Sequence, residues 1–135
     1  MIIRLSANLW GAPERWYGME TSIEIKRAYE APAPSDGLRI YIDRLWPRGL
    51  SHENFHYDLW DKQIAPSTGL REWFHANPSA EWHEFERRYA AELRANAAFA
   101  ELKKTVAAHP RVTLLYSSRD AAHNNAVVLR NLLLN

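Results

Sequence analysis

The stretch "RVTLLYSSRDAAHNNAVVLRNLLLN", residues 111–135, decides the fold. Residues 111–116 are a short, β-branched apolar run of the buried-strand type, whereas Ala122, Ala126, Leu129 and Leu133 recur at helical spacing. The polar segment "SSRDAAHN" joins them, so a buried strand runs through a loop into a helix. Upstream, "LRIYID" (38–43) alternates, with Leu38, Ile40 and Ile42 on one face, and "SIEIKRAY" (22–29) alternates in part. Between these two strands, "APAPSDG" (31–37) has loop composition. Ser67 is placed to cap a short helix carrying Leu70, Trp73 and Phe74, and Asn77-Pro78-Ser79 to end that helix and cap the next. Trp82, Phe85, Tyr89 and Leu93 then recur at helical spacing, and Phe99, Leu102 and Val106 continue after a break near Asn96.

The order strand, strand, several helices, strand, helix predicts a small single α/β domain over residues 21–135. Its short, mainly parallel sheet packs against several helices. If strand 112–116 pairs in parallel, the long connection into it is a right-handed crossover. Trp46, Trp60, Trp73 and Trp82 are expected in the core between helices and sheet. Residues 1–20 read as a poorly specified tail. Met19 offers an alternative start, and otherwise the tail contributes an extra strand from Ile2 to Leu5.

Composition narrows the class. A chain of 135 residues, 47% hydrophobic and 24% charged, is the size and make-up of one globular domain. A net charge of +1 lacks the basic excess of a dedicated DNA binder. The absence of cysteine excludes disulfides, thiolate metal sites and thiol nucleophiles, and fits a reducing cytosol. No run has the length of a membrane span or the pattern of a signal peptide, so no membrane contact is expected. Five glycines and no G-x-G-x-x-G leave no flavin, nicotinamide or Walker-type loop, and no cofactor is expected.

In open α/β sheets ligands bind beyond the carboxyl ends of the strands. Two such ends concentrate chemistry here. The first delivers Asp43, Arg44 and Arg48, with Pro47 and Gly49 shaping the turn; the second delivers Ser117, Ser118, Arg119 and Asp120 into a helix start, with His123 and Asn124 a turn later. A helix start and arginines both suit phosphate or carboxylate. The structural alternatives are that Ser118 or Asp120 is only an N-cap, that Arg44 and Arg48 pair with Asp43, Asp58 or Asp61, and that His123 is a satisfied structural histidine.

"HENFH" (52–56) fits the H-E-x-x-H zinc-protease pattern. It follows a "PRGLS" turn instead of lying within a long amphipathic helix, and no downstream motif supplies an obvious third ligand, "YDLWDK" offering only Asp58 and Asp61. No metal site is assigned, and Ser51 is read as capping a short helix.

"YIDRLWPRGLS", "APSTGLREWF", the Trp82–Phe85–Arg88–Tyr89–Glu92–Leu93 pattern and "VTLLYSSRDAAHNNAVVL" together resemble the YeaO-like family of uncharacterised bacterial proteins, a branch of domain of unknown function 488. The resemblance covers about residues 22–133. It implies a compact cytoplasmic α/β protein and no established reaction. Its motif positions here are Asp43, Arg44, Trp46, Pro47, Arg48, Gly49, Lys62, Pro66, Ser67, Arg71, Tyr116, Ser117, Asp120, His123 and Asn124. His52 and His56 fall where relatives vary. The broader superfamily carries a cysteine where Tyr116 or Ser117 stands, so thiol chemistry does not carry over.

Three readings follow. In the first, Arg44, Arg48, Lys62, Ser67, Arg71, Ser118, Arg119, Asp120 and Asn124 hold a small anionic or nucleotide-like ligand. Asp43 and His123 then act as acid or base and Ser117 as a hydroxyl nucleophile, which suits hydrolysis or group transfer. In the second, the same cations beside Trp46 form a non-catalytic surface for nucleic acid or a phosphorylated ligand. In the third, a scaffold or oligomerisation domain, the motif residues mainly hold the fold.

Overall fold

The structure is a computed structural model that describes residues 2–3, 19–77 and 80–135. Among these residues six strands and four α-helices follow in order: β1 (Ile2–Ile3), β2 (Met19–Glu20), β3 (Ser22–Arg27), β4 (Leu38–Tyr41), β5 (Leu59–Trp60), α1 (Thr68–Ala76), α2 (Trp82–Arg94), α3 (Ala97–Ala107), β6 (Arg111–Tyr116) and α4 (Asn125–Leu134). β3, β6, β4 and β5 lie side by side in that order and every pairing is parallel. The sheet is therefore the short parallel one that the sequence order implies. β6, the last strand in the chain, sits between β3 and β4. β1 pairs antiparallel with β2, so the tail does contribute a strand; Leu5 lies outside the described residues.

Strand alternation divides the core in two. On one face Ile23, Ile40, Ile42, Val112, Leu114 and Tyr116 meet Leu70, Phe74, Phe85, Tyr89, Leu93, Leu102, Val106 and Leu129 from the helices. Ser67 caps α1 by accepting the Leu70 N–H (3.2 Å), and Asn96 caps α3 by accepting the Ala98 N–H (2.9 Å). Ser79, read as a second cap, lies outside the described residues. Tyr89 is fully buried and donates its hydroxyl to the Ile64 carbonyl (2.6 Å); burial raises its pKa well above the ordinary value.

Among the described residues no helix covers the other face. Two loops do, residues 28–37 and 42–58. Tyr41 and Leu115 form a small cluster there with Ala28 and Phe55, flanked by Trp46, Leu50 and Trp60. The four-tryptophan expectation is thus half right. Trp73 and Trp82 pack on the helical core, whereas Trp46 and Trp60 lie under the loop, 5.6 Å apart.

A buried ion cluster fastens both loops to the sheet. Asp36, in a 3-10 turn from Pro34 to Asp36, accepts from Arg39 Nη1 (2.5 Å), from Lys26 Nζ at both oxygens (3.1 Å each) and from the Ala33 N–H (3.0 Å). The Asp36 carbonyl accepts from the buried Thr113 hydroxyl (2.7 Å), and Arg39 Nε donates to the His56 carbonyl (2.8 Å). The Asp36 carboxylate thereby joins β3 and β4 to the first covering loop, the Asp36 carbonyl adds β6, and Arg39 adds the second loop.

Candidate functional site

Asp43 follows β4 by two residues and bridges the carboxyl ends of the sheet. Its Oδ2 accepts from the Ser117 N–H (3.0 Å) and the Ser117 hydroxyl (2.5 Å), and its Oδ1 accepts from Asn125 Nδ2 (2.8 Å). The Asp43 carbonyl accepts from the Trp60 indole (2.7 Å). One side chain thus joins β4 to the end of β6 and to the first residue of α4. Asp43 and Ser117 do meet, as the sequence pairing of the two strand ends implies. Asn125, which completes the bridge, is the second asparagine of "HNN", and nothing in its local sequence sets it apart.

His123 does not join them. Its Nδ1 lies 3.1 Å from Asp120 Oδ2 and its ring packs edge-on against Trp82 at 4.9 Å. Asp120 in turn accepts the N–H groups of Ala122 (2.9 Å) and His123 (3.0 Å). The Ala122 N–H above all, then the other His123 contacts, holds the Asp120 carboxyl below its ordinary pKa. Among the described residues no hydrogen bond links His123 to Asp43 or Ser117, so the acid–base pair expected from the sequence is not assembled.

The helix start also shifts. α4 begins at Asn125, and Asn124 is its cap, accepting the Val127 N–H (3.1 Å) and donating to the Asp120 carbonyl (2.8 Å). Neither Ser118 nor Asp120 caps a helix: Ser118 accepts the Asp120 N–H (3.1 Å) inside the loop. Residues 117–124 spend their polar groups on one another. That delays the helix by a turn and takes Ala122 out of it.

The cations point elsewhere. Arg27 donates to the Ser117 and Ser118 carbonyls (3.0 and 2.8 Å) and stacks over Tyr29, whose hydroxyl donates to the Arg48 carbonyl (2.7 Å). This laces the ends of β3 and β6 to the loop after β4 and brings the Arg48 and Arg119 backbones to the same rim. Arg44 makes two long bonds, to the Ala65 and Pro66 carbonyls (3.5 and 3.4 Å), beside the Ser67 cap. Lys62 rests on the Trp60 ring, 4.1 Å from its centroid. Arg44, Arg48, Lys62, Arg71 and Arg119 are all exposed, and among the described residues none forms a salt bridge. The expected pairing of Arg44 and Arg48 with Asp43, Asp58 or Asp61 is therefore absent. Asp58 accepts the Arg39 N–H (2.8 Å), and burial raises the Asp61 carboxyl above its ordinary pKa.

The profile of a family described as the inactive DUF488-N3 subclade matches residues 22–135. This chain belongs to that subclade. The DUF488-N3 chain is similar to the uncharacterised protein YeaO of Escherichia coli, 40% identical over 108 residues that cover 80% of this chain and 93% of that protein. It is equally similar to uncharacterised proteins of Mycobacterium tuberculosis and Mycobacterium bovis, 40% identical over 114 residues, 84% of this chain and 95% of theirs. No solved structure matches it.

Within this DUF488-N3 domain the "DRLWPRG" stretch is mostly architecture. Pro47 is fully buried, the Trp46 indole donates to the Leu50 carbonyl (2.6 Å), and the Tyr41 hydroxyl donates to the Leu45 carbonyl (2.7 Å). "HENFH" forms a turn and not a helix, with the Ser51 hydroxyl accepting the Asn54 N–H (3.2 Å), so its histidines do not share a helical face. His52 lies against Trp46, ring centroids 4.1 Å apart. Two concavities are described, and neither is lined by Asp43, Ser117 or His123. One, about 540 Å³, runs between α1 and α2; the other, about 300 Å³, lies at the amino ends of β4 and β6.

Asp43→Ala removes three hydrogen bonds to a carboxylate and is expected to cost about 2–3 kcal/mol in urea unfolding. It should also speed amide exchange at Ser117 and Asn125. Unchanged stability would show that the bridge is not structural.

Proposed function

We propose that this DUF488-N3 domain is a non-catalytic binding domain that takes a small phosphorylated or otherwise anionic ligand at the carboxyl ends of its strands. One observation carries the reading: the groups with reactive potential are hydrogen-bonded inward, to one another, while the cations face outward without carboxylate partners. A nucleophilic Ser117 needs a base within hydrogen-bond reach and an open substrate position. Asp43 accepts its hydroxyl, with the other Asp43 oxygen taken by Asn125, but neither Ser117 nor Asp43 lines either of the two concavities, so the second requirement is not met there. The subclade's description as inactive agrees with this. Arg44, Arg48, Arg71 and Arg119 are suited to bidentate contact with phosphate oxygens, Lys62 to a point-charge contact. A cytoplasmic setting, rich in phosphorylated small molecules, fits the cysteine-free chain.

The test is a melting-temperature screen with inorganic phosphate, mononucleotides, small carboxylates and a short single-stranded oligonucleotide, on wild type and on the Arg44→Gln/Arg48→Gln double variant. A ligand at a hundred times its Kd adds about 2.7 kcal/mol to stability, which raises the melting temperature measurably. The expected result is a phosphate-dependent rise in wild type that the double variant loses without a change in its own melting point. If no anion raises the melting temperature, the scaffold reading replaces this one. Turnover of any ligand found, abolished by Ser117→Ala, would make the domain an enzyme.

A further inference from the structure

β3 is one of the two outer strands of the four-stranded sheet and the longer of them, six residues against two in β5. It contains neither proline nor glycine, and it pairs with β6 in unbroken register from Ser22 to Arg27. An outer strand of that kind invites another strand to pair with its free side. Lys26, a charge that can guard such an edge, is tied back to both Asp36 oxygens (3.1 Å each) and to the Ala31 carbonyl (2.9 Å).

The backbone groups of β3 show how the edge is closed. The Ser22 N–H donates to the Pro110 carbonyl (2.9 Å) and the Ala28 N–H to the Tyr116 carbonyl (2.7 Å). In this parallel register Ser22, Glu24, Lys26 and Ala28 turn their peptide groups toward β6, so Ile23, Ile25 and Arg27 turn theirs outward. At both ends the outward groups are already taken. Arg130 Nε, from α4, donates to the Ile23 carbonyl (2.6 Å). The Arg27 N–H donates to Glu30 Oε2 (2.6 Å), and the Arg27 carbonyl accepts the Glu30 N–H (3.0 Å). Among the described residues, Ile25 alone of the three keeps both its N–H and its carbonyl without a partner. An added parallel strand needs the Ile23 carbonyl with the Ile25 N–H, or the Ile25 carbonyl with the Arg27 N–H. Arg130 blocks the first combination and Glu30 the second. An antiparallel strand needs the N–H and carbonyl of one residue together, which leaves it Ile25 and nothing more.

We propose that Arg130 and Glu30 latch this edge shut, and that releasing both lets a second copy of the chain pair with β3 in antiparallel register about Ile25. Two-fold symmetry about Ile25 sets Glu24 of each copy opposite Lys26 of the other, so the strand is complementary to itself in charge. Release frees the Ile23 carbonyl and the Arg27 N–H, which then bond across the pair on both sides of the central Ile25 exchange. The latch is a device of the sheet edge and does not rest on the anion site at the strand ends.

The test is the double variant Arg130→Met/Glu30→Ala. Met keeps the aliphatic stem of the half-buried Arg130 and loses the donor, and Glu30 is exposed, so both changes spare the core. Sedimentation over a wide concentration range is expected to show self-association at least about tenfold stronger than in wild type, the worth of two added hydrogen bonds. Adding Glu24→Lys, at another exposed residue, sets like charges opposite each other and should return the variant to wild-type behaviour. Amide exchange of wild type is a measurement that needs no variant. Exchange should be fast at Ile25 and slower at Arg27, while in the double variant Ile25 should slow as concentration rises. The proposal is overturned if wild-type Ile25 exchanges as slowly as Glu24 and Lys26, if the double variant associates no more than wild type, or if Glu24→Lys leaves that association unchanged.

Discussion

Asp36→Ala is expected to lower the unfolding free energy by about 3–5 kcal/mol, the cost of leaving buried cations without their counter-charge. Arg39 is only 6% exposed and Asp36 only 5%. Without the carboxylate, Arg39 Nη1 and Lys26 Nζ lose their shared acceptor, and the turn at Pro34–Asp36 loses the bond from Ala33. Stability of a domain this size is of the order of 5–15 kcal/mol, so a large part of it is at stake. The same residue gives a pH signature. Burial pushes the Asp36 carboxyl upward, but the Ala33 N–H, Lys26 and Arg39 together outweigh it and hold the pKa below the ordinary 3.8. A carboxyl depressed in the folded state stabilises the fold above its unfolded pKa. That contribution fades as pH falls through the folded value, because the unfolded chain takes up the proton first. Wild type should therefore lose stability on acidification below about pH 4, and Asp36→Asn should lack that component. Urea unfolding of both proteins across the acid range checks it. A wild type and an Asp36→Ala variant with equal midpoints at neutral pH would refute the ion-cluster account.

Gly37→Ala is expected to be comparably damaging for a steric reason. Gly37 has φ of +63° and ψ of −137°, a combination open in practice only to glycine. A Cβ there would stand 2.1 Å from the Arg111 carbonyl oxygen and 2.6 Å from its carbon, which are backbone atoms of the central strand. Relief requires β4 and β6 to part where Leu38 pairs with Val112. Backbone strain of about 1–3 kcal/mol plus the lost start of the ladder puts the total at about 4 kcal/mol or more. Gly49 is the internal control. Its φ of +84° also favours glycine, but a Cβ there meets nothing within 4 Å. Gly49→Ala should cost only about 1–2 kcal/mol. Parallel denaturation of the two variants measures the difference, and equal costs would mean that the contact with Arg111 is relieved without disturbing the sheet.

The elements that carry their own periodicity were legible in the sequence. Strand 111–116 is found at those residues, and Phe85, Tyr89 and Leu93 are buried on α2 as their spacing requires. The Ser67 and Asn96 boundaries were legible because a short polar side chain ahead of an apolar periodicity has one local use. Features fixed by distant partners were not. β5 is two residues long, too short for any alternation, and exists because the Asp58 and Asp61 N–H groups reach the Arg39 and Tyr41 carbonyls. The order of the strands, and hence the face covered by loops instead of helices, has no local signature either. At the strand ends, Asp43 and Ser117 meet, as the order of the elements requires of residues that follow two adjacent parallel strands. His123 stands apart from them because local bonds within residues 118–124 hold it against Trp82, a competition that residue type alone does not reveal.

The position of β6 between β3 and β4 has a consequence for how the chain acquires its shape. β3 and β4 do not touch each other, and each finds its main partner only in β6, which is synthesised after both of them and after α1, α2 and α3. While the ribosome is still short of Arg111, the two-residue pairing of β4 with β5 is the most of this sheet that can exist. Ile23, Ile25 and Ile40 wait without their neighbours, as do the apolar faces of three helices. Formation of the sheet is thus an all-at-once event that closes loops of some seventy to ninety residues, the slow kind of assembly. A nascent chain of this design has reason to be shielded until its last strand arrives.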